Sequence, residues 1–134
     1  MILKDLLEKL DYEVLQGSDE TEVNHLQNDS RKVTDRDVFV CIKGAGFDGH
    51  EFVEDVAKKG AKAVVVMEDV TAPKDVTVVK VEDTRYALAC MSAAYFGHPA
   101  EKLITIGITG TKGKTTTTYM VRQVLESVGV TDVL

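Results

Sequence analysis

Apolar positions along the chain switch between two rhythms, and the switches mark out its elements. Ile2, Leu3, Leu6, Leu7 and Leu10 recur at helical spacing, which predicts a short amphipathic helix over 2–10 that lies as a lid on the core. After a loop through Gly17 to Glu20, residues 23–27 and 37–42 read as strands, the second apolar on both faces as a buried strand must be. Helical period returns over 51–59, with Phe52, Val53, Val56 and Ala57 on one stripe and Gly60 at its end. Residues 63–67 and 76–81 are β-branched runs separated by a turn region containing Pro73, and Asp83 opens a second helix through Phe96. This order of strands and helices predicts an α/β domain.

Gly97 and Pro99 break that helix, and the apolar run 103–109 starts a fresh strand, turn and helix, the helix covering 114–128. A domain boundary is therefore expected there, dividing the chain into 1–98 and 99–134. One strand cannot build a parallel sheet. Run 103–109 either joins the first sheet or belongs to a domain that continues past this chain, and the strand-like residues 130–134 favour the second. No internal repeat or low-complexity segment is visible.

Composition then removes whole classes of function. A chain of 134 residues suffices for one ordinary domain but not for two complete ones. With 44% hydrophobic and 28% charged residues it is neither disordered nor collagen-like. A formal net charge of −6 gives no general attraction to nucleic acid or to an anionic membrane, so neither is an expected partner. Residues 1–10 lack the apolar core of a signal peptide, and no run approaches the ~20 apolar residues of a membrane span, so a cytoplasmic location is expected. Cys41 and Cys90 sit in apolar runs without metal-ligand spacing and read as small core residues.

Two glycine-rich loops carry the candidate chemistry. The stronger is Gly110-Thr111-Lys112-Gly113-Lys114-Thr115-Thr116, between run 103–109 and a helix. Glycines let backbone N–H groups turn toward a phosphate, the helix N-terminus adds partial positive charge, Lys114 reaches the β/γ-phosphates, and Thr115 offers a hydroxyl to Mg²⁺. The loop departs from the strict phosphate-loop pattern, because Ile108 stands where its first glycine belongs, with Gly107 and Gly110 close by.

The second loop, Gly44-x-Gly46-x-x-Gly49, lies between a strand and a helix, with Glu68 at the end of the next strand. Formally this is a dinucleotide fingerprint with Glu68 on the ribose, so a nicotinamide-dinucleotide domain competes. Against it, Asp48 and His50 crowd the third glycine. Asp29, Ser30, Arg31 and Lys43 are candidates to supply charge and hydrogen bonds to a pyrophosphate. Ser30 and Arg31 fit a solvated turn equally well, and His50 reads as a helix-capping or surface histidine. A phosphate-binding module without turnover is the non-enzymatic alternative.

Taken together, Asp29-Ser30-Arg31, Asp37-Val38-Phe39-Val40, Gly44-x-x-x-Asp48-Gly49-His50-x-Phe52, Gly60-Ala61-x-Ala63-Val64-Val65 and the stretch from Gly107 to Thr117 resemble the Mur ligase family, in register from about residue 20 to residue 128. The resemblance implies an N-terminal Mur ligase-type domain, a mixed sheet flanked by helices, followed by the first βα unit of a P-loop ATPase domain. It implies that Ser30, Ala45, Gly46 and Phe47 hold the UDP-sugar of a UDP-N-acetylmuramoyl-dipeptide substrate. Gly110, Thr111, Lys112, Gly113, Lys114, Thr115 and Thr116 would bind ATP, with Lys114 catalytic and Thr115 on Mg²⁺.

The implied reaction phosphorylates the terminal carboxylate of the dipeptide. The amine of diaminopimelate or lysine then attacks to form an amide in peptidoglycan synthesis. The family more often has Asn where Lys112 stands, which leaves the loop backbone intact and adds a positive charge near the phosphates. Its acidic metal ligands and amino-acid pocket fall beyond residue 134, so this stretch alone is expected to be inactive.

Overall fold

The computed structural model describes residues 1–131 and Val133; Asp132 and Leu134, in the expected strand at 130–134, lie outside the described residues. The chain divides into two compact units, Met1–Pro99 and Ala100–Leu134. In the first, strands β1 (Tyr12–Gln16), β2 (Leu26–Gln27), β3 (Val38–Val40), β4 (Ala63–Val66) and β5 (Thr77–Val81) form one sheet in the order β1-β5-β4-β3-β2. Strands β2 to β5 are parallel, and β1 runs antiparallel to β5 with Tyr12 opposite Val81. The sheet is mixed, as the resemblance implies. Helices α1 (Leu3–Leu6), α2 (Val53–Lys58) and α3 (Thr84–Tyr95) flank it.

Parity along the strands sorts the core into two layers, because successive side chains point to opposite faces. Val38, Val40, Ala63, Val65, Val79 and Val81 pack with Leu3, Leu6 and Leu7 at α1 and with Ala87 and Met91 of α3. Phe39, Cys41, Val64, Val66 and Val78 pack on the opposite face with Val53 and Val56 of α2. Both faces are covered, so β3 and β4 read as continuous apolar runs and β5 as one interrupted only at Lys80, rather than as alternating strands. Parallel strands β4 and β5 are joined by loop 67–76 without a helix. Val70 and Ala72 of that loop pack on the α2 side, and the Gln16 side-chain amide donates to Pro73 O and Val76 O, each at 2.7 Å.

Several expectations need correction. The helix expected over 2–10 keeps only the turn Leu3–Leu6, although Leu3, Leu6 and Leu7 are buried as a lid requires. Strand β1 was not expected. Its inward residues Tyr12, Val14 and Gln16 are only half-buried and Leu15 faces out, so the period-two signal is weak at this sheet edge. The helix expected over 51–59 begins as a 3₁₀ turn, Gly49–Phe52, which turns Phe52 off the buried stripe. Cys41 is buried, and burial pushes its thiol up to about 12. Cys90 is half-buried and lies outside both core layers.

At the expected break, Gly97 and His98 adopt left-handed conformations (φ 70° and 53°) before one turn of helix α4 (Pro99–Lys102). Run 103–109 is not a strand. Among the described residues it has no pairing partner, and Ile104 is 97% exposed. An apolar pattern makes a strand only where a neighbour takes its backbone hydrogen bonds. Helix α5 (Lys114–Ser127) forms as expected. No helix among the described residues is long and apolar enough to cross a membrane.

Candidate functional site

Four parallel strands end at the same edge of the sheet, where ligands of open α/β sheets bind. Strand β2 delivers Asn28-Asp29-Ser30-Arg31, β3 delivers the loop 43–50, β4 delivers Met67 and Glu68, and β5 delivers Glu82 and Asp83. The register of β2 with β3 places Gln27 opposite Phe39, so Ser30 and the loop holding Ala45, Gly46 and Phe47 follow neighbouring strands. Ala45, Gly46 and Phe47 are exposed, Phe47 at 59%. Along the same edge an open cavity of about 710 Å³ is lined by Leu10, Asp11, Lys43, Met67, Asp83, Arg85 and neighbours. The sequence reading missed Arg85, whose guanidinium donates to Lys43 O at 2.9 Å and ties α3 to the glycine loop.

The loop is built from its own polar residues. Gly44 N–H donates to Phe47 O at 2.8 Å, and Gly49 N–H donates to Ile42 O at 3.0 Å. A Cβ on Gly49 would lie 2.7 Å from Ile42 N and 2.9 Å from Cys41 Cα, both backbone, so only glycine fits. Asp48 caps the 3₁₀ turn by accepting from His50 N–H at 3.0 Å, and it also pairs with the His50 ring. Lys43 Nζ lies 2.7 Å from Glu68 Oε1 and 3.3 Å from Asp48 Oδ2.

These contacts count against the dinucleotide reading. The Asp48 carboxylate holds the helix start where a pyrophosphate would sit, and Glu68 is committed to Lys43 rather than turned toward a ribose. His50, expected to cap a helix or lie on the surface, does neither: the cap is Asp48. The His50 side chain is 8% exposed, and Nε2 accepts the Met67 N–H at 3.0 Å.

Charge on the loop has a consequence in acid. The backbone N–H of His50 first, then its ring, with Lys43 adding to them, hold the Asp48 carboxyl at about 2 against an ordinary 3.8. A depressed carboxylate stabilises the fold above its unfolded pKa, and that contribution is lost as pH falls through the folded value. The contribution of the Asp48 carboxylate to the loop is therefore expected to be complete down to pH about 4 and lost toward pH about 2. A carboxyl-carbon NMR titration of Asp48 with a midpoint near 2 is the expected result; one near 4 would show the cap is not formed.

The Asp29-Ser30-Arg31 turn is likewise self-paired. Arg31 Nε and Nη2 donate to the two Asp29 oxygens at 2.9 and 2.8 Å, and this fork first, then the Arg31 N–H, lowers the Asp29 carboxyl to about 2. The arginine that the sequence offers to a phosphate is thus already spent on a carboxylate. Lys59 Nζ donates to Ser30 O at 3.0 Å, whereas Ser30 Oγ has no intramolecular partner among the described residues. Behind this turn Asp37, buried, accepts from Thr34 N–H at 2.8 Å, Thr34 Oγ1 at 3.0 Å and His25 N–H at 3.1 Å. Those bonds fix the crossover between β2 and β3.

In the second unit, Gly113 caps α5 in the left-handed conformation (φ 78°) with no side chain on the first-turn N–H groups. Those donors are open, as an anion site at a helix N-terminus requires. Lys114 Nζ folds back onto Gly110 O at 2.7 Å. Thr111, Lys112, Thr115 and Thr116 are exposed. The hydroxyls of Thr117 and Thr118 are used within the helix, on Gly113 O and Lys114 O, both at 2.9 Å.

A family model described as Mur ligase family, catalytic domain, matches residues 22–96. That is more than half of the chain, and the chain belongs to the Mur ligase family. It is 53% identical over 129 residues to the UDP-N-acetylmuramoyl-L-alanyl-D-glutamate--2,6-diaminopimelate ligase of Clostridium perfringens (strain 13 / Type A), covering 96% of this chain and 27% of that protein. With the enzyme of the same name from Clostridium tetani (strain Massachusetts / E88) it shares 43% identity over 132 residues, again 96% of this chain and 27% of the relative. The chain thus spans about a quarter of the length of these curated relatives. Among solved structures it is similar to MurF from Acinetobacter baumannii, with TM-score 0.64 and 29% identity over 95% of this chain and 28% of that one. It is also similar to MurF ligase from Thermotoga maritima in complex with ADP, with TM-score 0.55 and 28% identity over 78% of this chain and 24% of that one.

Proposed function

We propose that this chain is the N-terminal part of an ATP-dependent amide ligase that adds a diamino acid to UDP-N-acetylmuramoyl-L-alanyl-D-glutamate in peptidoglycan synthesis. Residues 1–98 bind the UDP-sugar, and residues 99–134 open the ATPase domain. The carrying observation is the convergence of Ser30, with its unused hydroxyl, and exposed Ala45, Gly46 and Phe47 at the ends of neighbouring parallel strands. The names of the relatives support diaminopimelate over lysine as the added residue.

The open first-turn N–H groups of α5, Lys114 and the exposed hydroxyl of Thr115 suit a nucleotide phosphate with Mg²⁺. When bound, ATP supplies the phosphoryl group that activates the dipeptide carboxylate. Lys114, whose ammonium now rests on Gly110 O, would hold a phosphate oxygen and offset its charge. Gly110, Thr111, Lys112, Gly113 and Thr116 contribute backbone donors to the same cradle.

Calorimetric titration of the chain with UDP tests the first half of this reading. Binding is expected, and Ser30→Ala removes one hydrogen bond worth about 0.5–1.5 kcal/mol, a loss of roughly 2- to 12-fold in affinity. Binding of NADH in place of UDP, or an unchanged Kd for Ser30→Ala, would contradict the assignment.

A further inference from the structure

We infer that His50 is a positioning residue for uridine-nucleotide binding: it staples the base of the glycine loop to the end of strand β4, so that the exposed segment Ala45, Gly46 and Phe47 is held ready. The inference rests on the reading of that segment as the UDP contact. Two bonds on opposite sides of one imidazole carry it. Nε2 accepts the Met67 N–H at 3.0 Å, the first backbone group past β4, and an acceptor there carries no proton. The proton therefore sits on Nδ1, which donates to Asp48 Oδ1. The side chain is 8% exposed, so water does not compete for either bond.

A second tie runs in parallel, from Lys43 at the other end of the loop to Glu68, the residue after Met67. The two ties differ in kind. Lys43 and Glu68 are half-exposed, at 51% and 56%, where an ion pair contributes little. His50 is enclosed, and its backbone partner cannot swing away. Between the ties, Gly46 would meet nothing within 4 Å if it carried a Cβ, and the tip is closed only on itself, by Gly44 N–H on Phe47 O. That turn bond does not fix the tip against the sheet; the base does, where Gly49 N–H bonds Ile42 O, Arg85 bonds Lys43 O, and His50 supplies the enclosed side-chain link to β4. A ligand that binds a loop already held in place does not have to supply the ordering itself.

Conservative variants separate the two bonds. Glutamine places its carboxamide near the Nε2 position and keeps an acceptor for Met67 N–H; asparagine places its amide near Nδ1, keeps the donor to Asp48 and loses Met67. In UDP titrations of the 134-residue chain, His50→Ala and His50→Asn are expected to weaken binding about tenfold, and His50→Gln to stay within about threefold. Amide exchange at Met67 should speed up in the first two variants and stay slow in the third. Imidazole ¹⁵N shifts of the wild-type chain, free of UDP, should show protonated Nδ1 and bare Nε2.

Equal UDP affinity in all folded variants would leave His50 a purely structural residue and overturn the proposal. So would a wild-type imidazole carrying its proton on Nε2, which can be read even if the alanine variant fails to fold. Failure of the wild-type chain to bind UDP would instead overturn the reading of the loop itself, and the inference with it.

Discussion

Replacing Phe39 with alanine is expected to destabilise the first unit by about 3–5 kcal/mol. Phe39 is the bulkiest of the fully buried side chains, 2% exposed, and sits in β3 between β2 and β4 on the α2 face. Its ring is enclosed by strand and helix residues that cannot all move in, so the substitution leaves a cavity as well as losing the transfer of the phenyl group from water. Domains of this size hold only about 5–15 kcal/mol in total, so the change removes a large share of the stability. Because β3 runs directly into the glycine loop, UDP binding should fall with it. Urea unfolding measures the effect. A loss below about 1 kcal/mol would mean the two-layer core is packed differently. Phe47→Ala is the control: at 59% exposure it should change stability by no more than about 0.5 kcal/mol while weakening UDP binding.

Substituting Lys114 by methionine in the complete ligase should lower turnover by about 10²- to 10³-fold, the usual cost of removing one preorganised charge or donor from a transition state. Methionine keeps the aliphatic length and removes the charge. The side chain is exposed and, among the described residues, its one hydrogen bond is to a carbonyl of its own loop, so the fold should be unaffected within about 0.5 kcal/mol. Phosphate release assays on the full-length enzyme read this directly. Turnover within threefold of wild type would remove Lys114 from the chemistry.

Much of the fold is legible in the sequence because the central strands are buried on both faces. Residues 37–42, 63–67 and 76–81 show it as short runs dominated by Val and other apolar residues, and Asp83 announces α3 through the cap it forms on Arg85 and Tyr86 N–H groups. Strand β1 escapes because an edge strand needs only half an apolar face. Run 103–109 misleads for the opposite reason, since it has the pattern of a buried strand without a partner among the described residues. At the site, the glycine loop and the Asp-Ser-Arg turn are visible as motifs. The bonds that tie the glycine loop to other elements are not, because the partners are far apart in sequence: Lys43 with Glu68, His50 with Met67, Arg85 with Lys43. Glu68 shows the cost. Its spacing suits a ribose contact, and only the fold reveals that a lysine of the same loop has claimed it.

The central claim is that the carboxyl edge of the sheet, at β2 and β3, receives a uridine nucleotide. Amide chemical-shift mapping of UDP on the ¹⁵N-labelled 134-residue chain tests it most directly. The account predicts shifts concentrated at residues 29–31 and 44–48, with Met67 following through His50 and none along α5. Shifts confined to residues 110–116, or the same 44–48 changes produced by NADH, would contradict it.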